Sequence, residues 1–337
     1  MMYGGTQMNR FEESYKCDSS PQIISFDVTG SCNYKCLHCY NDSGKKLTNE
    51  LTNEEVIDIA LQIRDMKPFS VCLCGGEPTL RSNYIDVIKI LAETAGNVNM
   101  VSNGSFIDYQ VACELKAAGL KTLQISLDGY CSMQHDTLRS VKGAFDKALN
   151  AIRGSVEAGL NVATSCTPSK LNYKTIKQYI ALCEDLGVNS ARFMPLIPMG
   201  RGSRIDFLLL SPLEYMELQM DILSAQREQK KNTSSFYVEW GDPLDHYTRM
   251  PTNAKLGMCS YTMEIKANGN LTVSTYLPIV IGNVRKHSLQ EYWDAGAKHI
   301  WSNKKVTDYI SRIENIYDIN QLEPRPYTGD YYYIDII

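Results

Sequence analysis

The order of segments between residues 22 and 195 constrains this chain more than any other feature. Strand-like "QIISFDV" (22–28) leads to helix-like "LTNEEVIDIALQIRDM" (51–66), and "FSVCLC" (69–74) leads to "YIDVIKILAET" (84–94). "VNMVS" (98–102) leads to "YQVACELKAAG" (109–119), and "KTLQISL" (121–127) to "AFDKALNAIRGSVEAG" (144–159). "NVATSC" (161–166) leads to "YKTIKQYIALCEDLG" (173–187), and "SARFMPL" (190–196) closes the series. The first helix shows the logic: Thr52 and Glu55 form a capping box, Val56, Ile59, Ala60 and Ile63 make a 3.6-period stripe, and Lys67-Pro68 ends it. Such alternation predicts a parallel sheet with helices outside it. Six units are too few to close an eight-stranded barrel. The expected fold is α/β, a partial (β/α)6 TIM-like barrel, with chemistry at the C-terminal ends of its strands.

After residue 196 the pattern breaks. "MGRGSR" (199–204) reads as a loop, "SPLEYMELQMDILSAQREQKK" (211–231) as a long helix, and "SFYVEW" (235–240) as a strand. "MCSYTMEIKANGNLTVS" (258–274) reads as a hairpin and "SLQEYWDAGAKHIW" (288–301) as a helix. The expected division is an N-terminal segment 1–21, the barrel 22–210, a helical linker 211–256, a small β-hairpin/helix extension 257–303 and a tail 304–337.

Composition narrows the function classes. With 34 basic against 38 acidic residues the net charge is −4, so no basic field points to nucleic acid. The first 21 residues lack the apolar run of a signal peptide, and no window approaches the roughly 20 apolar residues of a membrane span. The expectation is a cytoplasmic protein with no membrane partner. The 337 residues include eleven cysteines, an odd number in a chain too large to need a disulfide frame. In a reducing compartment that usage points to thiol, metal or redox chemistry.

"SCNYKCLHCYN" (31–41) directly follows the first strand and spaces Cys32, Cys36 and Cys39 as C-x3-C-x2-C. A zinc site using these three and His38 fits poorly, because structural zinc usually draws its ligands from two separated knuckles. Thiolates also suit an iron–sulfur cluster. Three cysteines on a cubane leave one iron open, which suits catalysis.

At this point the sequence resembles the radical SAM enzymes. The tricysteine loop is joined by "GGEP" (75–78), "SNG" (102–104) and "SLDG" (126–129) at the ends of successive strands, and by "HDTLR" (135–139) just after. The resemblance implies that Cys32, Cys36 and Cys39 hold one [4Fe–4S] cluster and that S-adenosylmethionine (SAM) chelates the open iron. It implies that Gly75, Gly76 and Glu77 line the methionine amino group, and that Ser102 and Asn103 meet the ribose. Ser126 and Asp128 would add polar contacts, Arg139 would pair with the methionine carboxylate, and His38 and Met194 would sit near the adenine. The implied chemistry is reductive cleavage of SAM to a 5′-deoxyadenosyl radical that abstracts hydrogen from a substrate. A flavodoxin- or ferredoxin-type electron donor is implied with it. Singly, each residue has a plainer explanation: a strand-to-loop turn for the glycines, a turn pair for Asp128-Gly129, a surface ion pair for Arg139.

"GMCSYTMEIKANGNLTVSTYLPIVIGNVRKHSLQEYW" (257–293) resembles the SPASM/twitch extension of the same superfamily. There a hairpin supplies cysteines to an auxiliary cluster. Here Cys259 stands at the first position and Ser274 where the second cysteine would be, with no later cysteine. A serine hydroxyl is a poor iron ligand beside thiolate. The expectation is a degenerate twitch-like extension without an auxiliary cluster. Cys259 then reads either as a leftover small hydrophobe or as the hydrogen-atom donor of an epimerase. Cys166, Cys131, and Cys72 with Cys74 on one strand face are competing thiols; Cys183 falls on an apolar helix stripe, and Cys17 and Cys113 carry no signal. The aromatic, acidic tail "PYTGDYYYIDII" reads as packing, with a substrate lid using Glu323, Asp330 and Asp335 as the other reading.

The expected function is hydrogen abstraction from a peptide or small-molecule natural-product substrate, such as an aminoglycoside-like one, with epimerisation through Cys259 as the specific outcome. The alternatives are a radical SAM maturase making a crosslink, dehydrogenation or carbon–carbon cleavage, and a non-enzymatic iron–sulfur carrier or SAM-binding regulator.

Overall fold

The computed structural model describes residues 19–231, 235–322 and 331–337. Its strands form one sheet in the order β11-β10-β9-β8-β1-β2-β3-β4-β5-β6-β7. β1 (Ile23–Thr29), β2 (Ser70–Gly75), β3 (Asn97–Ser102), β4 (Thr122–Ser126), β5 (Asn161–Cys166) and β6 (Ser190–Phe193) are the six strands expected from the alternation, each parallel to the next. Helices α1 (Asn53–Met66), α2 (Tyr84–Ala92), α3 (Tyr109–Ala117), α4 (Ser132–Arg139), α5 (Ala144–Glu157) and α6 (Ile176–Asp185) come between and after them.

The period of two explains the layering. On β2, Val71 and Leu73 are fully buried in the core, while Cys72 and Cys74 alternate onto the barrel's inner face. On β6, Ala191 and Phe193 are buried, and Phe193 meets Tyr179 of α6 edge-on at 5.3 Å. Helix α1 buries Val56, Ile59, Ala60 and Ile63, and the Thr52–Glu55 capping box is formed.

Beyond residue 196 the structure differs from the expected division. The segment 211–256 holds α7 (Pro212–Gln229), β7 (Tyr237–Trp240) and α8 (Asp245–Lys255), and β7 pairs parallel with β6. This segment is therefore part of the barrel sheet as well as a helical connection. In the extension, β8 (Thr262–Ile265) pairs parallel with β1, and β9 (Asn270–Thr272) turns back antiparallel on β8. The hairpin thus extends the barrel sheet without a break. β10 (Ile279–Asn283) follows, then α9 (Leu289–Ala295) and α10 (Lys304–Ile310). The helix expected over 288–301 stops at Gly296, whose φ of 143° no helix accommodates, and resumes as a 3-10 turn. Helix α8 escaped the sequence pattern because Pro251 sits inside it.

The tail's described residues favour packing. β11 (Tyr332–Tyr333) pairs with β10, and Asp335 binds Lys286 at 3.0 Å. Glu323, Asp330 and Cys17 lie outside the described residues. Among the described residues no helix is long and apolar enough to cross a membrane.

Candidate active site

The tricysteine loop springs from the end of β1 and is gripped from both sides. Glu50, a buried carboxylate, accepts from the Thr29 hydroxyl and the Gly30 N–H, both at 2.9 Å, and Arg81 backs it at 3.5 Å. From β2, the Gly76 N–H donates to Thr29 O at 2.7 Å and the Glu77 N–H to Ser31 O at 2.8 Å. That approach leaves no room for side chains. A Cβ on Gly75 would stand 2.3 Å from Thr29 O, and one on Gly76 would stand 2.1 Å from Ser31 O. The paired glycines are thus already required by the backbone of the cysteine loop's stem.

The other grip is "MGRG". Arg201 donates to Cys36 O at 2.9 Å and to Ser43 O and Asp42 at 2.7 Å, and its N–H donates to Cys39 O at 3.0 Å. Gly200 has φ 53°, and a Cβ there would lie 2.4 Å from Tyr40 O. Neither Glu50 nor Arg201 was legible as a site residue. Glu50 stands in a polar loop with no spacing signal, and Arg201 acts across more than 150 residues of chain.

Within the loop, Cys36 is buried, and Cys32 and Cys39 pack at the edge of the cluster it makes with Tyr34 and Ala144. The Tyr34 N–H donates to Cys32 Sγ at 3.4 Å, Arg139 Nη1 reaches Cys36 Sγ at 3.7 Å, and Asn103 Nδ2 lies 4.0 Å from Cys32 Sγ. Burial pushes the Cys32 thiol up to about 11 and raises Cys36 as well. Among the described residues no three His, Cys, Asp or Glu side chains converge as ligands of a single ion do. A tetrahedral zinc site needs that convergence. A cubane takes one thiolate on each of three different irons, and the loop carries three cysteines. The Arg139 cation beside Cys36 suits a thiolate ligand.

Beneath the loop is a buried ionic node. Arg139 Nε lies 2.6 Å from Asp128 Oδ2, and His38 Nε2 lies 3.3 Å from the same oxygen. Asp128 Oδ1 accepts the Thr167 N–H, and the Asp128 N–H donates to His135 Nδ1, both at 2.9 Å. Burial alone would raise the Asp128 carboxyl, but the Arg139 guanidinium together with the neighbouring histidines and the Thr167 N–H outweighs it, and the net shift is downward. Burial drives both His38 and His135 down to about 4, so both imidazoles are neutral at pH 7.

Several side chains face differently from the arrangement the resemblance implied. Glu77 is 1% exposed and turned inward, accepting from Ser102 Oγ at 2.9 Å, Asn103 N at 2.8 Å and Thr79 Oγ1 at 2.7 Å. Its carboxylate and the Ser102 hydroxyl tie "GGEP" to "SNG". Burial raises the Glu77 carboxyl despite those donors. Asp128 likewise engages Arg139, so the guanidinium expected at the methionine carboxylate already has an internal anion. Asn103 stays at the cysteine loop through Asn33 at 2.9 Å. Ser126 is buried at the end of β4, in register with Ser165. Met194 follows β6 and lines a cleft with Arg192, Trp240 and Tyr276.

A model of the radical SAM superfamily matches residues 26–198, over half of the chain. The chain belongs to the radical SAM superfamily. An AdoMet-dependent heme synthase from Methanosarcina barkeri is 26% identical over 293 residues, covering 82% of this chain and 83% of that protein. Mycofactocin maturase MftC from Mycolicibacterium smegmatis is 31% identical over 219 residues, 65% of this chain and 55% of the relative. Among solved structures, Streptococcus suis SuiB bound to S-adenosylmethionine superposes with a TM-score of 0.70 at 15% identity, covering 99% of this chain and 83% of that one. Native anSMEcpe with bound AdoMet gives 0.63 at 15% identity over 83% of this chain and 82% of that one. At such identity these structures speak to fold, and they bear out the partial barrel with its C-terminal extension. The chain carries a radical SAM catalytic domain.

In this radical SAM chain the position of Cys259 does not support the donor role expected for it. Cys259 precedes β8, and Thr262 of β8 pairs with Ile23 at the start of β1. It therefore lies at the N-terminal edge of the sheet, while the cysteine loop leaves the C-terminal edge. The seven residues of β1 separate the two edges by about 20 Å. Cys259 is also disulfide-bonded, with His299 Nδ1 3.7 Å from its sulfur. Ser274, across the hairpin, has its Oγ 3.0 Å from His246 Nδ1.

Proposed function

We propose that this radical SAM enzyme carries one [4Fe–4S] cluster on Cys32, Cys36 and Cys39, binds SAM beside it, and modifies a peptide or natural-product substrate by an oxidative radical reaction. A crosslink, dehydrogenation or carbon–carbon cleavage replaces the epimerisation expected from Cys259. The observation that carries this reading is the meeting of four chain segments on one loop: Glu50 before α1, Gly76 after β2, Asn103 after β3 and Arg139 at the end of α4 all contact the tricysteine segment or its stem. Relatives named as an AdoMet-dependent heme synthase and as a mycofactocin maturase, and a fold shared with SuiB bound to precursor peptide SuiA, support the substrate class.

The bound cluster with SAM supplies one-electron reductive cleavage to a hydrogen-abstracting radical. This chain's residues do the rest. Arg139 holds positive charge against Cys36. Asp128 holds Arg139. Glu77 fixes the Asn103 loop against Cys32. Gly75 and Gly76 let the stem close, and Met194 borders the open cleft. Ser126 remains a candidate polar contact at the sheet edge. The extension holds no auxiliary cluster in this reading, because Cys259 faces the opposite edge. Electrons would come from a flavodoxin- or ferredoxin-type donor.

Anaerobic reconstitution tests the reading. Four irons per chain, with 5′-deoxyadenosine and methionine formed after dithionite reduction, are expected. Stoichiometric zinc without sulfide, or no SAM cleavage by reduced protein, would sink it.

A further inference from the structure

Two of the charged groups near the barrel's working edge are already paired. Lys266 pairs with Asp27 of β1 at 3.2 Å, and Arg139 pairs with Asp128. Arg192 alternates with buried Ala191 and Phe193, which places it on the inner face of β6, in register with Ser165 of β5 and Glu239 of β7. Among the described residues no hydrogen bond or ion pair engages its guanidinium. It lines a cleft of about 130 Å³ together with Met194, Gly241, His246 and Tyr276.

The cleft is shaped around that guanidinium. A Cβ on Gly241 would stand 3.0 Å from Arg192 Nε and 3.2 Å from Nη2, so the missing side chain is what seats it. Two neighbouring acids of the cleft are occupied, and Glu239 stands beside Arg192 on the adjacent strand outside the cleft's lining. Asp242 accepts from Tyr215 Oη at 2.6 Å and from the Leu244 N–H at 2.9 Å, and Asp245 faces Arg249 at 3.7 Å. His246 is held by Ser274 and stacks edge-on against Tyr276 with ring centroids 4.9 Å apart. Burial lowers it to about 4, so it carries no charge at pH 7. Of the two cations that line the cleft, Arg249 is engaged by Asp245 and Tyr261, and Arg192 is the one without a partner among the described residues.

A guanidinium fork matches a carboxylate with two parallel hydrogen bonds. The two nearby aspartates make a phosphate dianion a poor occupant and leave room for a monoanion. The volume is below the ~300 Å³ of a site that engulfs a whole small molecule. It suits one acid-bearing end of a larger substrate.

We propose that Arg192 anchors a carboxylate of the substrate in this cleft, beside Met194, against the wall that Tyr276 forms. The inference rests on reading the barrel as a radical SAM substrate chamber and gives that substrate a chemical class: a peptide or natural product carrying a free carboxylate. The residues after β9 then have a use that needs no metal, since Ser274 holds His246 and Tyr276 lines the site.

The test uses the full chain, reconstituted and left unreduced so that nothing turns over. Trp240 lines the cleft while Trp293 and Trp301 are buried, so tryptophan emission reports occupancy. Three probes are compared: N-acetyl-diglycine with a terminal carboxylate, the α-amide of N-acetyl-glutamate with a side-chain carboxylate, and N-acetyl-diglycine amide with neither. At least one acid is expected to bind about tenfold more tightly than the neutral amide. The tighter acid tells a chain terminus from a side chain. Arg192→Gln should erase the preference and Arg192→Lys retain part of it. If Arg192→Gln does not fold, Gly241→Ala, which crowds the guanidinium, should weaken it instead. Acids and amide binding alike to the wild type, or a preference that survives Arg192→Gln, overturns the anchor. SAM cleavage by the reduced wild type is scored separately. Acid preference without SAM cleavage defeats the radical reading alone; SAM cleavage without acid preference defeats the anchor alone.

Discussion

Arg139 spans two buried partners: its Nε lies 2.6 Å from Asp128 and its Nη1 3.7 Å from the sulfur of Cys36. One cation thus serves a carboxylate and a cysteine of the tricysteine loop together. Removing it leaves Asp128 buried without its principal counter-charge. Arg139→Gln is expected to cost about 3 kcal/mol of stability, read from the urea midpoint. Iron retained after reconstitution should fall with it. Arg139→Lys keeps the charge but cannot reach both partners, and should recover part of the stability. Unchanged stability in Arg139→Gln would mean the node is solvated.

Glu77 separates a structural from a ligand-binding role. It accepts from Thr79, Ser102 and Asn103. Glu77→Ala strands those donors and is expected to destabilise the fold by about 2 kcal/mol, with Glu77→Gln milder because one acceptor oxygen remains. SAM affinity that drops while the urea midpoint holds would instead place the carboxylate at the ligand.

Acid sensitivity follows from His135 and His246. Burial lowers both to about 4, against roughly 6.5 in an unfolded chain. Between those values the unfolded state binds more protons, so stability rises with pH and is lost as pH falls from about 6.5 toward 4. His135, fully buried, should contribute a loss of about 2 kcal/mol between pH 7 and 5. His135→Gln should flatten that slope in urea titrations at the two pH values.

Gly76→Ala places a methyl 2.1 Å from Ser31 O. The stem of the cysteine loop must move, so iron per chain after reconstitution should fall well below that of the wild type. Gly44, where a Cβ meets nothing within 4 Å and φ is likewise not positive, is the control for glycine replacement. Equal iron in Gly76→Ala and wild type would show that the stem adapts.

Cys259→Ala should leave iron content and SAM cleavage unchanged, because the residue sits at the far edge of the sheet. In deuterated water the variant and the wild type should give products with the same label. Loss of solvent deuterium in the variant would restore the donor role.

The alternation of strands and helices was legible because each element's period matches its place in the layers, as Val71, Leu73 and the α1 stripe show. The site was legible as a set of strand-end motifs that meet at one edge. Which way their side chains turn was not. Glu77 and Ser102 satisfy each other, and that preference depends on spacing between two strand ends. Cys259 misled for a related reason: a hairpin's sequence shows its turn but not which strand it joins or at which edge. Arg201 and Arg192 depend on chain crossings that no local pattern encodes.

The pairing of β8 with β1 has one more consequence. Without the hairpin, β1 would present a bare row of N–H and C=O groups at the edge of a long sheet, which is a template for another chain. The extension therefore protects the strand that launches the cysteine loop from aggregation. Truncation before residue 257 should produce an insoluble protein rather than a smaller enzyme.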